Sequence, residues 1–290
     1  MTPTEPIRLL DGATGSELER RGVDVSLPLW SARAIRDAPD ILAAVHADSL
    51  DAGADLVTAN TFRTHARSLR AGGCAIDAAT LTGEAVAIAR AARDRVRPDA
   101  LVYGSVAPLE DCYEPDRAPD GAAARREHDA MIRSLLDAGV DGLLIETMGA
   151  ARELVAVTDV ARRLAPDRWM VSVCCRADGP RGVLLDGTPL DSLASVFAGA
   201  AAVGVNCVAA PTLVEHLRVL GAVVGRACPL VAYANVGRVH PVKGWENTDA
   251  VAPERYAAYA ATWREAGATI IGGCCGTTPA TIRALATLRA

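Results

Sequence analysis

Short apolar runs alternate with longer segments of helical spacing along the whole chain. The runs are IRLL (7–10), DLVTA (55–59), LVYGSV (101–106), GLLIE (142–146), WMVSVCC (169–175), AVGVN (202–206), LVAYAN (230–235) and TIIGG (269–273). Between them, segments such as ATLTGEAVAIARAARDRV (79–96), AAARREHDAMIRSLLDAG (122–139) and ERYAAYAATWREAG (254–267) carry helical periodicity. Several helical stretches close on Ala-Gly just before the next run, at Gly53, Gly139 and Gly267. Glycine there suits the left-handed residue that stops a helix. The segment DGATGSELERRG (11–22) predicts a first helix with a capping box from Thr14 and Glu17. Residues 23–40, with Pro28 and Trp30, read as an extended loop, and the helix of the first unit is expected at 40–52. Eight strands alternating with about eight helices, with no low-complexity linker, predict an α/β chain. Its expected architecture is a single-domain (β/α)8 TIM barrel spanning 1–290. An open doubly wound sheet is the alternative, because periodicity does not report closure.

Composition narrows the class. The 290 residues are half hydrophobic, enough for a sizeable core. A net charge of −5 with no Lys/Arg cluster argues against a nucleic-acid partner. The start, MTPTEPIRLLDG, lacks the apolar stretch of a signal peptide. No apolar run reaches the roughly 18 residues of a membrane span. A soluble, cytoplasmic protein is expected. Eight cysteines are present, at 74, 112, 174, 175, 207, 228, 274 and 275. A reducing compartment makes a disulfide scaffold unexpected, so most should be small buried residues.

In a barrel of this kind the active site lies at the C-terminal ends of the strands. Those ends carry Asp11-Gly12, Asn60-Thr61, Glu146-Thr147, Cys174-Cys175, Asn206-Cys207, Asn235 and Cys274-Cys275. The sixth and eighth barrel strands are two apart, so Cys207, Cys274 and Cys275 can converge into a three-thiolate site for Zn²⁺. Catalytic zinc takes three protein ligands and keeps a fourth position open. Packing remains the competing reading for each cysteine. Cys174-Cys175 is a second pair at a strand end, and strand alternation turns only one of its members inward. Gly272-Gly273 and Gly276 flank the later pair and let the backbone turn both sulfurs to one point. The earlier pair reads as packing near the site.

The motifs LDGATGSELERRG (10–22), GADLVTANTF (53–62), LIETM (144–148), GVNC (204–207) and GGCCGTTP (272–279) resemble those of the homocysteine S-methyltransferases. They run in order over nearly the whole chain. The resemblance implies a (β/α)8 barrel that binds zinc through Cys207, Cys274 and Cys275. It also implies that Asp11 and Glu146 bind the amino group of homocysteine. The backbone N–H groups of Gly12, Ala13 and Thr14 would receive its carboxylate, and Asn206 would orient Cys207 or the substrate. The expected reaction moves a methyl group from a cationic sulfonium or ammonium donor to the homocysteine thiolate, giving methionine.

Trp30 offers an aromatic face to a methylated cation, with packing under its loop as the plain alternative. The LWSA segment (29–32) resembles the branch using S-methylmethionine or S-adenosylmethionine. TANTF (58–62) and YANVG (233–237) resemble the homocysteine domains of betaine- and folate-dependent members, and some betaine-dependent members carry a tyrosine where this chain has Thr147. Three other readings compete. One changes the acceptor to another small thiol or a selenol. One makes the barrel a zinc- or thiol-binding subunit without turnover. One dispenses with metal and uses Cys207 as a covalent nucleophile. Nothing in the sequence fixes an oligomeric state.

Overall fold

A computed structural model of the chain describes residues 6–240 and 244–289. Residues 1–5, at the start of MTPTEPIRLLDG and of the expected 1–290 domain, lie outside the described residues, as do 241–243 and 290. The strands are β1 (Arg8–Leu9), β2 (Leu56–Ala59), β3 (Leu101–Val106), β4 (Gly142–Met148), β5 (Trp169–Val173), β6 (Ala202–Ala209), β7 (Leu230–Asn235), β8 (Gly237–His240), β9 (Gly244–Asn247) and β10 (Ala268–Gly273). β8 and β9 form a separate antiparallel hairpin. The other eight are parallel, in the order β1-β10-β7-β6-β5-β4-β3-β2. Leu10 bridges Leu56, and the Asp11 N–H donates to the Leu56 carbonyl at 2.9 Å, so the sheet returns on itself. This is a (β/α)8 barrel and not an open sheet.

The closing seam has a lower fastening. The Leu9 N–H donates to Asp55 Oδ2 at 2.8 Å, and Arg97 pairs with Asp55 Oδ1 at 2.8 Å. Arg289 pairs with the same carboxylate and donates to the Gly53 carbonyl at 2.8 Å.

Ten α-helices are described: α1 (Thr14–Arg20), α2 (Ala34–Asp37), α3 (Pro39–Asp51), α4 (Ala66–Ala71), α5 (Ala78–Val96), α6 (Gly121–Asp137), α7 (Ala151–Leu164), α8 (Ala210–Val224), α9 (Pro253–Glu265) and α10 (Pro279–Leu285). Gly53, Gly139 and Gly267 all have positive φ, as expected of helix stops. Three local expectations fail. The capping box is absent: Ala13 is the N-cap of α1 and makes no side-chain cap. Glu17 is drawn instead to Arg20 and Arg21, which pair with it at 2.6 and 2.7 Å. The segment 23–40 is not simply extended, since it holds a 3₁₀ turn (Trp30–Arg33) and α2. The β5–β6 connection has a 3₁₀ segment, Leu190–Phe197, where a regular repeat would place an α-helix.

Strand alternation builds the interior in two levels. Leu143, Ile145, Val171, Val203 and Val205 face the helices in the main core. Leu10, Leu56, Leu144, Met170, Ala202, Val231 and Ile270 form a separate apolar cluster inside the barrel. Two residues further along each of several strands the interior turns polar, at Thr58, Glu146, Ser172 and Tyr233. The apolar level is a plug, and the polar level above it is the floor of the site.

Candidate active site

Above the plug opens a cavity of about 620 Å³. Its lining includes Asp11, Gly12, Ala13, Thr14, Trp30, Glu146, Cys207, Cys274 and Cys275, nine of the ten residues expected from sequence. Asn206 is fully buried and lies beneath it.

The sulfurs of Cys207, Cys274 and Cys275 lie within 4.8 Å of one another. Cys207 and Cys275 Sγ are 4.0 Å apart. Tetrahedral thiolates about 2.3 Å from a zinc ion stand about 3.8 Å apart, so the spacing fits such an ion. Two backbone devices bring the sulfurs together. Cys207 sits at φ 58°, where the β6–β7 register shifts between Asn206 and Ala209. An extra residue in a strand re-aims the side chain it carries. Gly276, at φ 82°, turns the chain after Cys275; a Cβ there would meet Val236 Cγ2 at 2.3 Å. Asn235 joins the two cysteine segments. Its Nδ2 donates to the Cys207 carbonyl and its Oδ1 accepts the Cys275 N–H, both at 3.0 Å. Hydrogen bonds from Cys274 and Cys275, outweighing burial and helped by Tyr113 and Asn235, hold the Cys207 thiol well below its ordinary pKa. Its two partners are pushed up, so the cluster already favours one thiolate.

The acids occupy the neighbouring wall. Asp11 accepts the Thr58 N–H at 2.7 Å and the Thr58 hydroxyl at 3.0 Å. Glu146 accepts the Ser105 hydroxyl at 2.5 Å and the Tyr233 hydroxyl at 3.4 Å. Burial raises Asp11 from 3.8 to about 7, against the pull of Thr58. Burial also raises Glu146 from 4.5 to about 7, assisted by the Cys207 charge. Two such acids beside each other gain from a cationic ligand, which restores the charged form.

Asn206 is a brace. Its Oδ1 accepts the Thr147 N–H at 3.0 Å and the Ser172 hydroxyl at 2.9 Å, while Nδ2 donates to Thr147 Oγ1 at 2.8 Å. Thr147 sits at φ 61°, costly for a β-branched residue, within a register shift between Ile145 and Met148. Asn206 thus fixes the turn that follows Glu146. The Ala13 N–H, expected to face a carboxylate, donates to Thr277 Oγ1 at 3.1 Å. Trp30, also at positive φ, packs on α1; a Cβ on Gly15 would meet its Nε1 at 2.3 Å.

Tyr113, Asn235, Ser105 and Tyr233 escaped the choice of site residues. Asn235 was visible as a polar strand end. Tyr113 comes from the loop after β3, and its hydroxyl lies 3.1 Å from Cys207 Sγ, a contact no motif announces.

A parallel barrel whose strand ends gather three thiols, a buried aspartate and a half-buried glutamate is the frame of a thiol-handling transferase. A family model described as homocysteine S-methyltransferase matches residues 8–288. The chain belongs to that family and is an S-methyltransferase. It is 35% identical to the homocysteine S-methyltransferase of Escherichia coli, over 97% of this chain and 94% of that protein. It is 30% identical to a selenocysteine methyltransferase of Astragalus bisulcatus, over 96% of this chain and 88% of that one. Among solved structures it is similar to the metallated form of the homocysteine methyltransferase MmuM from Escherichia coli, with a TM-score of 0.82 and 32% identity. That match covers 98% of this chain and 97% of MmuM.

Proposed function

We propose that this protein transfers a methyl group from a sulfonium donor, S-methylmethionine or S-adenosylmethionine, to the thiolate of homocysteine, with zinc held by Cys207, Cys274 and Cys275. The observation that carries the reading is the convergence of three sulfurs within 4.8 Å on a cavity that also holds Asp11 and Glu146. Three thiolates suit zinc and leave its site electron-rich. When bound, the ion keeps a coordinated thiol deprotonated near neutral pH, where a free thiol of pKa near 8.5 is mostly protonated.

The chain's own residues do the rest. Asp11 and Glu146 bind the homocysteine ammonium and become fully charged in doing so. The amides at the start of α1, Gly12 and Thr14 foremost, receive its carboxylate, because Ala13 is already engaged. Asn206 and Asn235 act on position. The first holds the turn beside Glu146, and the second holds Cys207 and Cys275 at one separation. Trp30 presents its face to the methyl-bearing cation. In the transfer the donor's methyl–sulfur bond breaks as a new methyl–sulfur bond forms on homocysteine. The donor leaves as a neutral thioether. Cavity walls that exclude water raise the rate by positioning and desolvation. Free thiols at the site fit a reducing compartment, the cytoplasm. Among the described residues no helix is long and apolar enough to cross a membrane. Likeness to a selenocysteine methyltransferase makes a selenol the second acceptor to try.

The test measures metal content and methionine formation together, offering homocysteine with S-methylmethionine, S-adenosylmethionine or glycine betaine. About one zinc per chain and methionine from a sulfonium donor are expected, both lost in Cys274→Ala. Methionine from betaine alone would overturn the donor. Activity that persists with the metal removed would overturn the metal role.

A further inference from the structure

Arg63 is the single cation among the described residues that line the cavity. It follows Phe62, lies over that ring at 5.4 Å, and is only 8% exposed. Its one hydrogen-bond acceptor among the described residues is the Glu110 carbonyl, 2.9 Å from Nη1. No carboxylate among those residues lies within 4.0 Å of it.

Acids nearby are committed elsewhere. The Glu110 side chain pairs with Arg67 at 2.8 Å and with Arg117 at 3.2 Å. Asp111 accepts the Tyr113 N–H at 2.9 Å. Arg67, four residues on, has two carboxylate partners, Glu110 and Glu127. A guanidinium held this far from water without a counter-ion is costly, and it is the side chain best shaped to grip a carboxylate through two parallel N–H groups. Its tie to Glu110 sets it between the loops after β2 and β3. The amides assigned to the homocysteine carboxylate follow β1, where Thr277, just beyond Cys274-Cys275, holds Ala13.

We propose that Arg63 anchors the carboxylate of the methyl donor, so that the donor is a zwitterion carrying both a cationic methyl group and a carboxylate. This rests on the methyl-transfer reading of the same cavity. It adds the second half of donor recognition: Trp30 and Trp245 line the cavity as aromatic faces for the cation, and Arg63 supplies the charge for the other end.

The experiment uses S-methylmethionine and its methyl ester, which share the sulfonium and differ in the carboxylate. Binding of each to the homocysteine-saturated protein is measured by calorimetry, and methyl transfer is measured in parallel. Wild type is expected to bind the acid on the order of 100-fold more tightly than the ester. Arg63→Gln should erase that ratio by weakening the acid alone, Arg63→Lys should restore part of it, and homocysteine binding should stay within about twofold in both. An acid-to-ester ratio unchanged in Arg63→Gln overturns the assignment, and so does a wild type that binds the two equally. Weakened homocysteine binding in Arg63→Gln would place the acceptor's carboxylate there and overturn it too. If the acid binds through Arg63 but no methyl moves, the anchor stands and the proposed reaction falls.

Discussion

Cys174-Cys175 and Cys274-Cys275 share a dipeptide and a place at the end of a barrel strand, yet their surroundings make them different chemistry. The first pair is sealed, with both residues 2% exposed or less. Burial lifts the Cys175 thiol to about 12 and Cys174 well above its usual value. Cys174 Sγ–H donates to the Cys207 carbonyl at 3.7 Å, so it touches the backbone of the sulfur cluster and not the sulfurs. The second pair is followed by the positive-φ Gly276 and faces the cavity with Cys207. Thiols can serve as ligands where the backbone turns them to a common point and a third partner waits there. Elsewhere they are small apolar residues.

Exchanging the roles of the pairs is the strongest way to break this contrast. Cys274→Ala should abolish stoichiometric metal and lower methyl transfer by at least about 1000-fold, whereas Cys174→Ala should keep its metal. Metal analysis beside a methionine assay reads both, and equal loss in the two variants would erase the distinction. Next in size, Glu146→Gln should raise the KM for homocysteine on the order of 100-fold while leaving metal content intact, since it removes the half-buried charge partner proposed for the ammonium.

A third effect follows from pH. Asp11 and Glu146 titrate near 7 in the folded chain, against 3.8 and 4.5 for the ordinary groups. The folded state therefore holds more protons between those limits. The stability these two groups contribute is full below about pH 4 and is lost as pH rises through about 7. Homocysteine binding runs the other way and should tighten from pH 6 to 8, as the carboxylates charge. Calorimetric titrations across that range should show the slope shrinking in Asp11→Asn and in Glu146→Gln. The smallest effect belongs to the sealed pair. Cys175→Ala should cost about 1 kcal/mol in denaturant unfolding and leave metal and turnover unchanged.

Much of this was legible in the chain. The eight barrel runs match strands to within a few residues, because a strand buried on both faces leaves a dense apolar signal. The cysteine set was legible because glycines marked the turn beside it. What stayed hidden depends on contacts distant in sequence. Glu17 abandoned its cap for two arginines on its own helix, where it became buried. The bulges at Thr147 and Cys207 follow from packing between strands, and neither site carries the glycine that would flag positive φ. The hold that Asn206, expected to orient Cys207 or the substrate, has on a strained turn two strands away is a contact no motif announces. Tyr113 reaches Cys207 from a loop 94 residues earlier.

The fastening at Asp55 gives the barrel a clasp. Seven of its eight joints are ladders of paired backbone, while the joint between β1 and β2 is a single bridge backed by two carboxylates, Asp55, which Arg97 and Arg289 both grip, and Asp11, which holds Thr58. A hoop opens at its clasp. Asp11 hangs beside that joint on the β1 side, tied to β10 by the Gly273 N–H, while its carboxylate is held by Thr58 on β2, so a breathing motion there would part the acid from Thr58 while every helix stays wound. Heat should therefore silence the enzyme before it visibly unfolds it.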